Sequence, residues 1–72
     1  MAKSGDADAA LTELRDALKT DSQNGAIFEQ IGDIEAARNR PADARAAYTS
    51  AMQNAPDGTF KKRVEKKLKS LR

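Results

Sequence analysis

The chain has 72 residues, of which 13 are Lys or Arg and 11 are Asp or Glu, for a formal net charge of +2. That length holds one small domain and leaves little apolar material for a core. With no Cys and no His, it has no disulfide, lacks the commonest metal ligand and lacks the usual general base.

The apolar share of 39% overstates the core, because 14 of those residues are Ala. The larger apolar side chains are Leu11, Leu14, Leu18, Ile27, Phe28, Ile31, Ile34, Tyr48, Met52, Phe60, Val64, Leu68 and Leu71. At roughly 1.5–3 kcal/mol for each full burial, they contribute little against the cost of ordering the chain. A marginal fold is expected, steadied by further repeats, a partner or self-association. The opening MAKSGDADAA has no signal-type apolar stretch, and no run approaches the roughly 18 apolar residues that span a bilayer. A soluble, cytoplasmic protein is expected. Charge is uneven: residues 1–58 hold six basic and ten acidic groups, and residues 59–72 hold seven basic and one acidic. An acidic body with a basic tail points to nucleic-acid or membrane contact, or to two faces that attract one another.

Periodicity is helical nearly throughout. Ala7, Ala10, Leu11, Leu14, Ala17 and Leu18 recur at spacings of three and four, predicting a helix over about 6–20 with Asp6 as its N-cap. DSQNG at 21–25 is a loop signal. Ile27, Phe28, Ile31 and Ile34 mark a second helix over 25–38, capped by Asn24. Gly32 is locally wrong there, since a mid-helix Gly costs about 1 kcal/mol relative to Ala. Such a Gly implies that a ring or another backbone comes close, and Ala44 and Tyr48 of the next helix are the natural neighbours. Pro41 suits the first turn of a third helix, over 41–55, after a tight turn at Asn39-Arg40. Ala55-Pro56-Asp57-Gly58 ends it. Phe60, Val64, Leu68 and Leu71 then lie on one face of a fourth helix, over 59–71. The chain reads as all-α, with four antiparallel helices joined by short loops.

Residues 25–58 resemble a tetratricopeptide repeat, a 34-residue helix–turn–helix unit. Phe28 stands at its first aromatic position, Ile31-Gly32 at Leu-Gly, and Ala44, Tyr48, Ala51 and Pro56 at the later signature positions. Two departures are Glu35 at the second aromatic position and Pro41 where a large residue usually begins the second helix. One repeat length upstream, Ala10, Leu14, Ala17 and Leu18 align with Ala44, Tyr48, Ala51 and Met52. The first helix therefore resembles the second helix of a preceding unit. One repeat length downstream, Lys62, Glu65 and Lys66 replace apolar positions, so 59–72 resembles a closing helix, apolar on one side only. The alternative from the residues alone is a generic four-helix bundle.

The resemblance implies a fragment of a right-handed α-solenoid that binds a peptide or protein surface in the groove lined by its first helices. By carry-over, the groove positions are Ala26, Glu29, Asp33, Ala36 and Ala37 on the second helix, and Arg63 and Lys67 on the fourth. Glu29 and Asp33 stand where the chaperone-binding subclass carries Lys and Asn, so an acidic chaperone tail is not expected. Facing helices would instead pair Glu29 with Arg63 and Asp33 with Lys67, each as an exposed pair worth only about 0.2–1 kcal/mol. Leu11, Leu14 and Leu18, without a preceding helix to cover them, form a candidate apolar docking or homodimer face. Lys61, Lys62, Lys66, Lys69 and Arg72 offer a ridge for weak, salt-sensitive contact with nucleic acid or an anionic surface. Without exposed aromatics, sequence-specific nucleic-acid recognition is not expected. No Ser has a His to activate it, no phosphate-cradling loop is present, and Asp6 and Asp8 lack further metal ligands. The expectation is a non-enzyme without cofactor or metal.

Overall fold

The computed structural model describes residues 4–71, with side chains from Asp6 onward. It contains four helices in chain order, α1 (Ser4–Thr20), α2 (Gly25–Ala37), α3 (Pro41–Gln53) and α4 (Gly58–Lys69), and no strand among the described residues. Each helix packs on its neighbour in sequence, and the α2–α3 contact is the most extensive. Successive helices are antiparallel, so α2 and α4 run in the same direction. The fold is the tetratricopeptide-like all-α stack that the repeat pattern implies.

Local chemistry sets each boundary. Because α1 begins at Ser4, Asp6 lies within its first turn rather than capping it. A carboxylate there still faces the positive end of the helix dipole. Asn24 caps α2, its side-chain oxygen accepting from the Ala26 and Ile27 amides at 3.0 and 3.3 Å. The α2–α3 turn closes as a Schellman motif. Asn39 takes a left-handed φ of 62° and donates to the Ala36 carbonyl, while Arg40 donates to Glu35. Asn tolerates that conformation better than most residues, and Pro41 then starts α3 with its φ already set. Asp57 caps α4 by accepting from the Phe60 amide at 2.8 Å. Leu71 falls just beyond α4, its amide bonded to the Leu68 carbonyl.

Two apolar clusters share α3. Ala44, Tyr48, Ala51, Phe60 and Val64 form one, joining α3 to α4 with Phe28, Ala36, Met52, Ala55, Leu68 and Leu71 around it. Leu11, Ile31 and Ala47 form the other, which seats α1 with Leu14, Leu18, Ile27 and Ile34 at its margins. Leu11 is buried, so the uncovered face expected on α1 is reduced to the half-buried Leu14 and Leu18. The correction has a simple cause. The small Ala47 lets α1 approach closely enough for α2 and α3 to cover Leu11.

At Gly32 the Tyr48 ring comes close to the α2 backbone. A Cβ built there would stand 2.5 Å from Cδ1 and Cε1 of Tyr48, so the ring lies directly against the α2 backbone. The ring cannot simply withdraw, because its hydroxyl donates to Asp33. Gly25 is similarly tight against backbone, with a Cβ 2.6 Å from the Asn54 carbonyl oxygen.

Gly32→Ala therefore sets two effects against each other. Helix propensity favours Ala by about 1 kcal/mol, whereas forcing an extra methyl into a packed contact costs about 1–3 kcal/mol. The contact should win, and thermal unfolding followed by circular dichroism should show a lower melting temperature for Gly32→Ala. A higher one would show that the ring can move aside.

Candidate functional site

Glu29 and Asp33 of α2 and Arg63 and Lys67 of α4 form one ion network. Arg63 grips Glu29 with two nearly parallel hydrogen bonds, Nε to Oε2 at 2.8 Å and Nη2 to Oε1 at 2.9 Å. Lys67 donates to Glu29 Oε2 at 3.0 Å and to both Asp33 oxygens at 3.0 and 3.1 Å. Tyr48 of α3 completes the set through its hydroxyl on Asp33. The Arg63–Glu29 and Lys67–Asp33 pairs are both 34 residues apart, which is one repeat length. Both expected pairs are formed. Two links had no counterpart in the sequence reading, Lys67 to Glu29 and Tyr48 to Asp33.

Depth also differs from expectation. Glu29 is 7% exposed and is not the solvated surface carboxylate that its charge suggests. Arg63 remains exposed and stacks over the Phe60 ring at 5.0 Å from the centroid. A bidentate guanidinium–carboxylate contact of this kind is stronger and more directional than an exposed lysine pair. Burial pushes the Glu29 carboxyl up, but hydrogen bonds from Arg63 and Lys67, and the charges of both, outweigh it and hold the group below the ordinary glutamate value. Burial pulls the Lys67 ammonium down, and its bonds to Glu29 and Asp33 more than reverse that. Burial, reinforced by the hydrogen bond to Asp33, raises the Tyr48 phenol well above its usual range.

The remaining candidate residues lie at the ends of this network or elsewhere in the stack. Ala26 is exposed at the N-terminal end of α2, and Ala37 is exposed at its C-terminal end. Ala36 is half-buried and lines a hollow of about 300 Å³ with Asn39, Pro41, Ser70 and Leu71. Phe28, Ile31, Gly32, Ala44, Tyr48 and Ala51 lie at the α2–α3 contact or in the clusters beside it, whereas Pro56 is exposed in the α3–α4 turn. Leu11, Leu14 and Leu18 are on the far side, against α2 and α3. Lys61, Lys62, Lys66 and Lys69 are exposed on α4 and make no ion pair among the described residues; Arg72 lies outside them. No group of three or more His, Cys, Asp or Glu that could hold a metal occurs among the described residues. No described helix is long and apolar enough to cross a membrane.

The ladder balances two carboxylates with two cations, which leaves a neutral, hydrogen-bonded surface on α2 and α4. Its pH dependence follows from Glu29. A carboxyl whose folded-state pKa is depressed contributes stability above its unfolded pKa and loses it as pH falls through the folded value. Glu29→Gln should cost on the order of 1–3 kcal/mol near neutral pH, the scale of hydrogen bonds to charged groups. The melting-temperature gap between the wild-type chain and Glu29→Gln should then narrow towards about pH 3, below the ordinary glutamate range. A gap that stays constant with pH would detach the ladder from stability.

Comparison with known proteins fits this architecture. The tetratricopeptide repeat-like domain family model matches residues 1–72. No curated protein and no solved structure matches the chain. The 34-residue register that pairs α2 with α4 and the match along the whole chain agree, and the protein belongs to the tetratricopeptide repeat-like domain family.

Proposed function

We propose that the chain is a non-catalytic protein-interaction module that holds a peptide or a protein surface along the groove formed by α2 and α4. The observation that carries this reading is the neutral ladder of Glu29, Asp33, Arg63 and Lys67 along that groove, with the exposed Ala26 at one end and Ala36 at the other. Small side chains at both ends leave room for a partner backbone. Family membership supports a scaffold role in general. The repeat boundaries that go with it are 25–58 for the full unit and 59–72 for the closing helix, with α1 as the second helix of a preceding unit.

The partner chemistry follows from the pairing. Arg63 and Lys67 are already held by Glu29 and Asp33, so a free carboxylate would have to break those bonds to be gripped. An acidic chaperone tail is a poor fit for the same reason. A mixed or neutral peptide fits better.

Selection from a random peptide library, repeated with Ala26→Arg, tests the groove. Ala26 is exposed, so an arginine there blocks the groove without disturbing the core. Peptides enriched by the wild-type chain should be lost by Ala26→Arg. Enrichment indifferent to that substitution would place the binding elsewhere.

A second reading has its own observation. Lys61, Lys62, Lys66 and Lys69 are exposed and unpaired on one helix, which favours loose contact with an anionic surface. Such contact releases counterions, so affinity for generic RNA or duplex DNA should collapse between about 50 and 200 mM salt. Affinity that survives the higher salt would overturn loose contact through these lysines, and no measurable binding at the lower salt would remove this reading.

A further inference from the structure

The face opposite the ladder carries an open cleft of about 450 Å³ between α1 and α3, floored by α2. Its size falls within the range of small-molecule and side-chain pockets. Leu11, Phe28, Ile31 and Ala47 supply apolar walls, and Glu35 lies among them. Glu35 is 4% exposed, and its Oε1 has no hydrogen-bond partner. The nearest cation is Arg38, with Nη1 at 3.6 Å from that oxygen and Nη2 engaged by Asp8 at 3.1 Å. A buried oxygen left in this state costs free energy and needs an explanation.

The lining narrows what could relieve it. Arg15, Arg38 and Arg40 all border the cleft, against Glu35 and Asp43, so an incoming cation is repelled and the donor must be neutral. Arg15 and Arg40 are exposed and make no ion pair among the described residues, which leaves two guanidiniums for acidic groups beside that donor. The walls call for an apolar body. Glu35 also occupies the second aromatic position of the repeat pattern, so a carboxyl stands where the pattern calls for a ring. A group that donates to Glu35 and accepts from Arg38 would bridge the 3.6 Å gap between them. A phenol does both, whereas an indole N–H only donates. The terminal torsion of Glu is soft enough to turn Oε1 towards the cleft.

We propose that the α1–α3 cleft is a docking slot for a tyrosine side chain of a protein partner, flanked in that partner by acidic residues. The ring lies between the apolar walls, its hydroxyl donates to Glu35 and accepts from Arg38, and the flanking carboxylates meet Arg15 and Arg40. A second copy of the chain cannot supply the ring, because the one tyrosine, Tyr48, is 3% exposed and bonded to Asp33. The proposal rests on the interaction-module reading but uses the opposite face from the α2–α4 groove.

The test titrates the intact, isotope-labelled chain with three blocked tripeptides, Asp-Tyr-Asp, Asp-Phe-Asp and Lys-Tyr-Lys, and follows the amide resonances. With Asp-Tyr-Asp, shifts should concentrate at Leu11, Glu35, Ala46 and Ala47. Asp-Phe-Asp should bind about tenfold more weakly or worse, the loss expected for one hydrogen bond to a charged group. Lys-Tyr-Lys should be weaker still. Glu35→Tyr supplies a ring from within the chain and should raise the melting temperature and abolish binding. Equal affinity for the Tyr and Phe tripeptides would overturn the proposal, as would shifts confined to the α4 lysines or no saturable binding. Should Glu35→Tyr not fold, Arg15→Ala serves instead, and unchanged Asp-Tyr-Asp affinity there would count equally against it. Because Ala26→Arg lies on the other face, loss of the slot and loss of the groove are distinguishable.

Discussion

The stack depends on Tyr48 lying against Gly32, a helical position with no side chain to resist the ring. The ring fills the space over Gly32, which sets the separation of α2 and α3. Its hydroxyl reaches past that contact to Asp33, and Asp33 in turn holds Lys67 of α4. A single side chain on α3 thereby fixes the spacing of one helix pair and helps to orient the next. The apolar contact provides the stabilisation, and the polar tip provides direction.

Alanine makes the rest of the geometry possible. Ala44 and Ala51 are fully buried and present little bulk, so α2, α3 and α4 meet at short range around Val64 and Phe60. Close approach has an electrostatic consequence. It brings Glu29 out of solvent, where a bidentate guanidinium is worth more than it would be in water. In a chain this small, the same few residues must both fill space and place charge.

The helices and their order were legible because the periodicity of the apolar residues and the Asn, Pro and Gly signals between them act locally. The Glu29–Arg63 and Asp33–Lys67 pairs were legible for a different reason. A fixed repeat length converts sequence distance into adjacency. Depth was not legible. Whether a carboxylate on an exposed-looking face is buried depends on how closely the next helix settles, and that sums many small contacts. Glu29 and Leu11 were misjudged on this account, both being more covered than their positions suggested. Glu35 was visible as a break in the aromatic pattern. Its orphaned oxygen was not, because it depends on Arg38 being drawn towards Asp8 across two helices.

The 34-residue offset in the ladder also imposes a rule of order on any array built from this unit. Copying residues 25–58 in tandem would place one Glu29 beside the next, and one Asp33 beside the next, with no cation between them. The helix one repeat length after α2 must therefore be basic at those two positions, as α4 is with Arg63 and Lys67. Neighbouring repeats are thus not interchangeable. Their sequence along the superhelix is written in alternating charge, and a shuffled array would oppose itself at every misplaced joint.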